Sequence, residues 1–138
     1  MKKKSRKTIS YADAPDIREK IIDIILVLGF THIRTESLSC IRSHGSGSRR
    51  IIARCHALPK IMQKALNTGA HYIIEVISER FDSQTEEEKM KTLIHELMHV
   101  PRSFGGGFVH HNMVNRSEVE KAWKKFTDRK KQGQNLTF

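Results

Sequence analysis

The residues whose types and spacing could do chemistry are His95-Glu96-Leu97-Met98-His99. In a helix, residues four apart lie one turn apart on one face, so His95 and His99 can aim ring nitrogens at a single ion. That spacing suits zinc and leaves Glu96 beside the ion as a general base. A hydrolytic zinc takes three protein ligands and keeps a fourth position for water. The candidates for the third ligand follow the motif: His110, His111, Glu118, Glu120 and, less suited, Asp128. Gly105, Gly106 and Gly107 give the backbone freedom to turn back beneath the metal, which makes a histidine after them the simplest choice. Adjacent residues of an extended segment point opposite ways, so only one of His110 and His111 is expected to ligate; a glutamate of the last helix is the competitor. Bound zinc lowers the pKa of its water to about 7. Glu96 would take that proton as a peptide carbonyl is attacked and hand it to the leaving nitrogen. Arg54, His56 and Tyr72 are candidate donors to the developing oxyanion.

These residues need a helix to position them, and the local signals supply one. Ser83 or Thr85 can cap it, with Glu86 or Glu88 three residues on as the capping-box partner. The acidic run Glu86, Glu87, Glu88 suits the positive helix end. Met90, Leu93, Ile94 and Leu97 form a buried stripe, and Pro101 stops the helix soon after His99. Upstream, Asp13 and Pro15 signal the start of a first helix, with Ile17, Ile21, Ile24, Ile25 and Leu28 at helical spacing and Gly29 at its end. Strands are expected within residues 33–42 and at 51–56, joined as a hairpin through the turn chemistry of residues 43–48. A second helix holds Leu58, Ile61, Met62, Ala65 and Leu66, and a strand at 71–78 is apolar on both faces, as a covered strand would be. Ser117, with Glu120, caps a last helix that packs down through Val119, Ala122, Trp123 and Phe126. The order is α-β-β-α-β-α-α: one α+β domain over residues 13–132, a mobile basic arm at 1–12 and a frayed tail at 133–138.

A chain of 138 residues can bury a core without disulfides. No apolar run approaches the ~18 residues that span a bilayer, so no membrane partner is expected. The basic start lacks an apolar stretch and a cleavage site, so a cytoplasmic location is expected, with Cys40 and Cys55 as free thiols. The net charge is +10, with much of the excess in the first seven residues and in Lys121, Lys124, Lys125, Arg129, Lys130 and Lys131. Such a balance favours polyanions, DNA or RNA first, through the termini; a solvated face is the blander account.

Other groups carry less. Cys40, His44, Cys55 and His56 lack a familiar finger spacing, and the cysteines suit strand packing better. His32 and His71 are expected to be exposed at element edges. Ser46, Gly47, Ser48, Arg49 and Arg50 lack the Walker lysine pattern and read as a loop.

Residues 51–60, 71–81 and 95–107, with their histidine motif and triple glycine, resemble the small metallopeptidases of archaea and phages, which are similar in layout to SprT-like proteases. The resemblance spans about residues 11–127 and is most specific over 95–111. It implies a zincin-like fold, a small sheet packed against the active-site helix, and one zinc ion per chain. It carries over His95, Glu96 and His99 directly and favours His111 over His110 as third ligand. It also implies a protein or peptide substrate, and by analogy with SprT-like proteases one associated with nucleic acid. A zinc metallopeptidase with Glu96 as base is therefore the first expectation. The alternative is a basic nucleic-acid-binding protein whose zinc is structural or catalytically silent.

Overall fold

The computed structural model describes residues 8–135. Nine elements follow in chain order: β1 (Ser10–Asp13), α1 (Pro15–Leu28), β2 (Leu38–His44), β3 (Ala53–Ala57), α2 (Lys60–Leu66), β4 (Tyr72–Ile77), α3 (Ser78–Phe81), α4 (Glu86–Met98) and α5 (Arg116–Asn135). A single 3-10 turn, Thr35–Ser37, precedes β2. This is the expected α+β domain, with a small sheet packed against the helix that carries the histidines.

The sheet order is β1-β2-β4-β3. β2 does not form a hairpin with β3, as the turn-rich segment between them led us to expect. β4 lies between the two, parallel to β2 and antiparallel to β3. The two-sided apolar character of β4 accounts for this: Tyr72, Ile74 and Val76 are fully buried on the inner face, and a strand so covered gains most at the centre. Among the described residues β3 is thereby left at the edge of the sheet. The other edge is β1, antiparallel to β2 from Ser10↔His44 to Asp13↔Ile41. Residues 10–12 of the segment expected as a mobile arm thus belong to a strand, and its residues 1–7 lie outside the described residues. Likewise α5 continues to Asn135, beyond the Gly133 start expected for the tail.

One face of the sheet carries the core. Ile17, Ile21 and Ile24 of α1 and Leu93, Ile94 and Leu97 of α4 are fully buried against it. Burial of each such side chain contributes about 1.5–3 kcal/mol. Gly29 ends α1 at φ 69, where a side chain would be strained. α5 packs across α4 and α1, with Val119 and Phe126 buried. Its cap is Asn115, whose side chain accepts from the Glu118 amide at 3.0 Å, rather than Ser117. Lys130 pairs with Asp23 and Lys121 with Glu118, so part of the expected basic surface is neutralised within the fold. α2 is an outlier: none of its residues is buried, and Ile61 and Leu66 face solvent. No described helix is long and apolar enough to cross a membrane.

Candidate metal centre

α4 opens with a complete capping box. The Thr85 hydroxyl accepts from the Glu88 amide, and the Glu88 carboxylate accepts from the Thr85 amide. This fixes where the helix begins, and hence which residues of its last turn face the sheet edge. His95 is half-buried there, Glu96 is 8% exposed, and His99 is 1% exposed at the helix end.

Beyond His99 the chain turns at Pro101, where the Phe104 amide donates to the Pro101 carbonyl. Phe104 takes φ 47, a left-handed conformation uncommon for a bulky residue. Its ring is buried against Tyr72 at 4.7 Å, which holds it there. The glycines come next and are tied down by two side chains from other elements. The Tyr72 hydroxyl donates to the Gly107 carbonyl at 2.8 Å and accepts from the Gly106 amide at 2.9 Å. Gln63 of α2 donates to the carbonyls of Leu58 and Gly105. Gly106 has φ 107, and a Cβ there would lie 2.6 Å from Gln63 Nε2 and 2.9 Å from the Leu58 carbonyl. This close approach requires glycine.

The returning segment is then bonded twice to His99. The Val109 amide donates to the His99 carbonyl, and His99 Nδ1–H donates to the Val109 carbonyl. The second bond fixes the tautomer and leaves the lone pair on Nε2 facing the site. Phe108 stacks on the His99 ring at 4.4 Å. His111, two residues past Val109, joins the motif histidines. One ring nitrogen from each of His95, His99 and His111 lies within 4.8 Å of the others, a group that could hold a metal ion. His95 and His99 present their Nε2 atoms 3.2 Å apart. Among the described residues no other group of three such side chains comes together.

The electrostatics agree with metal binding. Burial, together with the neighbouring His99 and His111, pushes His95 down to about 4, and burial also lowers His99. Both rings are therefore neutral near pH 7, the form that donates a lone pair. Glu96 Oε1 lies 4.0 Å from His95 Nε2. Burial pushes its carboxyl up to about 7, partly offset by a hydrogen bond from the Cys55 amide of β3. A carboxyl poised near neutrality suits proton transfer.

The other candidates are placed elsewhere. Glu118 pairs with Lys121 and Glu120 with Lys91. Neither they, nor Asp128, nor His110 belongs to the histidine group. The Tyr72 hydroxyl is committed to the glycine turn, bonded to Gly107 and Gly106, rather than left as an open donor for an oxyanion. Arg54 and His56 border a cleft shared with Glu96, His99 and His111, but His56 is bonded to Glu75 at 2.7 Å on the opposite sheet face from α4. Glu75 stays below the usual carboxylate range: burial alone would raise it, but the neighbouring Ser43 and His56 outweigh that. His32 and His71 are half-buried rather than simply exposed, bonded to the Val100 carbonyl and the Ser39 hydroxyl. Cys40 and Cys55 are free and pack with the core. Sequence reasoning does not single out Gln63 and reads Tyr72 only as an oxyanion donor; their hold on the turn is not visible there because their partners lie 42, 34 and 35 residues further along the chain.

The family described as "Putative phage metallopeptidase" matches residues 9–133. The chain belongs to this family. A family named for metallopeptidases implies a metal, and in this member the three-histidine group is where one could sit. The match runs from just before β1 to near the end of α5, so it takes in every element that builds the centre. No curated protein matches, and no solved structure matches.

Proposed function

We propose that the protein is a zinc-dependent peptidase, with zinc held by His95, His99 and His111 and with Glu96 as general base. The observation that carries this reading is the three-histidine group with a buried glutamate beside it. Zinc, when bound, supplies an acidified water and polarises the scissile carbonyl. His99 is aligned by its Nδ1–H bond to the Val109 carbonyl, and His111 is brought in by the clamped glycine turn. Glu96 accepts a proton from the attacking water and returns it to the leaving amine. Its burial beside β3 raises the carboxyl to about 7, which suits taking up and returning that proton. The edge strand β3 borders the site, and an extended peptide can lie along it by strand addition.

The net charge of +10 supports substrates found with polyanions such as DNA or RNA. A binding constant for duplex DNA that falls steeply with salt checks that part. The peptidase reading is checked with zinc-loaded protein on quenched peptides and on casein, comparing wild type with Glu96→Gln. Loss of a general base lowers turnover by about 10²–10⁴-fold with zinc content unchanged. Equal cleavage by both proteins contradicts the assigned base. Zinc binding with no cleavage, together with salt-sensitive DNA binding, would replace the peptidase by the nucleic-acid-binding alternative.

A further inference from the structure

A cleft of about 690 Å³ opens from His95, Glu96 and His111 toward the start of α5. Its apolar walls are Ile51, Ile52 and Val119. Six charged side chains also line it beyond Glu96, three of each sign, but they are not equally committed. Glu87 and Glu120 share Lys91, at 3.2 Å and 2.8 Å, and Glu87 accepts from Trp123 Nε1 as well. Glu88 caps α4. The side chains of Arg50 and Arg116 make no hydrogen bond or ion pair among the described residues.

Arg34, Arg49, Arg54 and Arg102 likewise make no side-chain hydrogen bond among the described residues but do not line this cleft, whereas other arginines are committed within the fold. Arg18 holds the carbonyls of Leu38 and Thr35, Arg42 bridges Asp16 and Asp82, and Arg129 caps the Val27 carbonyl. The backbones that carry Arg50 and Arg116 are nonetheless fixed. The Arg50 loop is tied through Ser48, whose hydroxyl accepts from the Ile51 amide and whose carbonyl accepts from Arg80. Arg116 directly follows the Asn115 cap of α5. Two unengaged guanidinium groups on anchored backbone line one cleft beside the site of bond cleavage.

We propose that this cleft is a carboxylate-recognising subsite, with Arg50 and Arg116 as specificity-determining residues for peptides that place a carboxylate next to the scissile bond. The inference rests on the peptidase reading and names its substrate class. A guanidinium forms paired, charge-assisted hydrogen bonds to a carboxylate, and the apolar walls reduce competition from water. Glutamate or aspartate side chains and a free chain terminus present the same group.

The test uses zinc-loaded protein and quenched peptides that differ only in Glu, Gln, Asp or Asn on either side of the cleaved bond, with free or amidated termini. We expect kcat/KM for Glu over Gln to favour Glu by about tenfold at one position, as hydrogen bonds to charged groups do. Arg50→Ala and Arg116→Ala should each erode that preference while cleavage of the Gln peptide is kept, and Arg116→Glu should favour Lys. A preference confined to free termini assigns the carboxylate to the chain end; one that survives amidation assigns it to the side chain. Efficient cleavage with no Glu preference, or a preference intact in both alanine variants, overturns the subsite. The same peptides are titrated into Glu96→Gln by fluorescence anisotropy. Arginine-dependent preference in binding with no turnover in wild type keeps the subsite and sinks the peptidase reading.

Discussion

Replacing Tyr72 by phenylalanine tests whether the third histidine depends on a clamp built from a distant strand. The substitution keeps the ring against Phe104 and removes only the hydroxyl, which bonds Gly107 and Gly106 at 2.8 Å and 2.9 Å. Each hydrogen bond contributes about 1 kcal/mol net. Gly106 is half-buried and Gly107 exposed, so water recovers part of the loss. The turn should lose about 1–2 kcal/mol in total. If that turn is what presents His111, the ligand-competent fraction falls, and apparent metal affinity weakens by up to about tenfold to thirtyfold. Zinc affinity is read by competition with a chromophoric chelator, alongside thermal unfolding of the metal-loaded protein. Unchanged affinity together with an unchanged melting temperature would refute the clamp.

Two further predictions follow from the same geometry. Gly106→Ala places a Cβ against Gln63 and the Leu58 carbonyl at φ 107, and should cost about 1–3 kcal/mol in denaturant unfolding and weaken zinc binding. In metal-free protein, Glu96→Gln should be stabilising at high pH. The folded carboxyl titrates near 7 against 4.5 for the unfolded group, so wild type loses stability as pH rises through that window. The variant's advantage should reach about 3 kcal/mol by pH 8 and vanish below about pH 4.5, measured by denaturant titration across pH. An advantage independent of pH would contradict a buried, raised carboxyl.

The parts of this fold that sequence made legible are those governed by local rules. The capping box at Thr85 and Glu88, the proline and glycine bounds of α1, and the helical spacing of His95 and His99 each depend on residues within a few positions. Strand neighbours do not. The turn residues at 43–48 imitate a hairpin, yet β2 finds its better partner in β4, about 34 residues on, because both strands present inward apolar faces. β1 was missed because its four residues are all exposed and its pairing is through the backbone. At α5 two capping signals overlap, Asn115 with Glu118 and Ser117 with Glu120, and only packing selects the first. The same limit hid Tyr72: its alternation marks a strand residue, but nothing local shows that its hydroxyl reaches a turn far along the chain.

We propose that His95, His99 and His111, and not His110, hold one metal ion. Elemental analysis of purified wild type and of His95→Ala, His99→Ala, His110→Ala and His111→Ala tests it most directly. About one zinc per chain is expected in wild type and in His110→Ala, with loss of metal in the other three. A His111→Ala protein that keeps its zinc while His110→Ala loses it, or a wild type that takes up none when zinc is supplied, would contradict it.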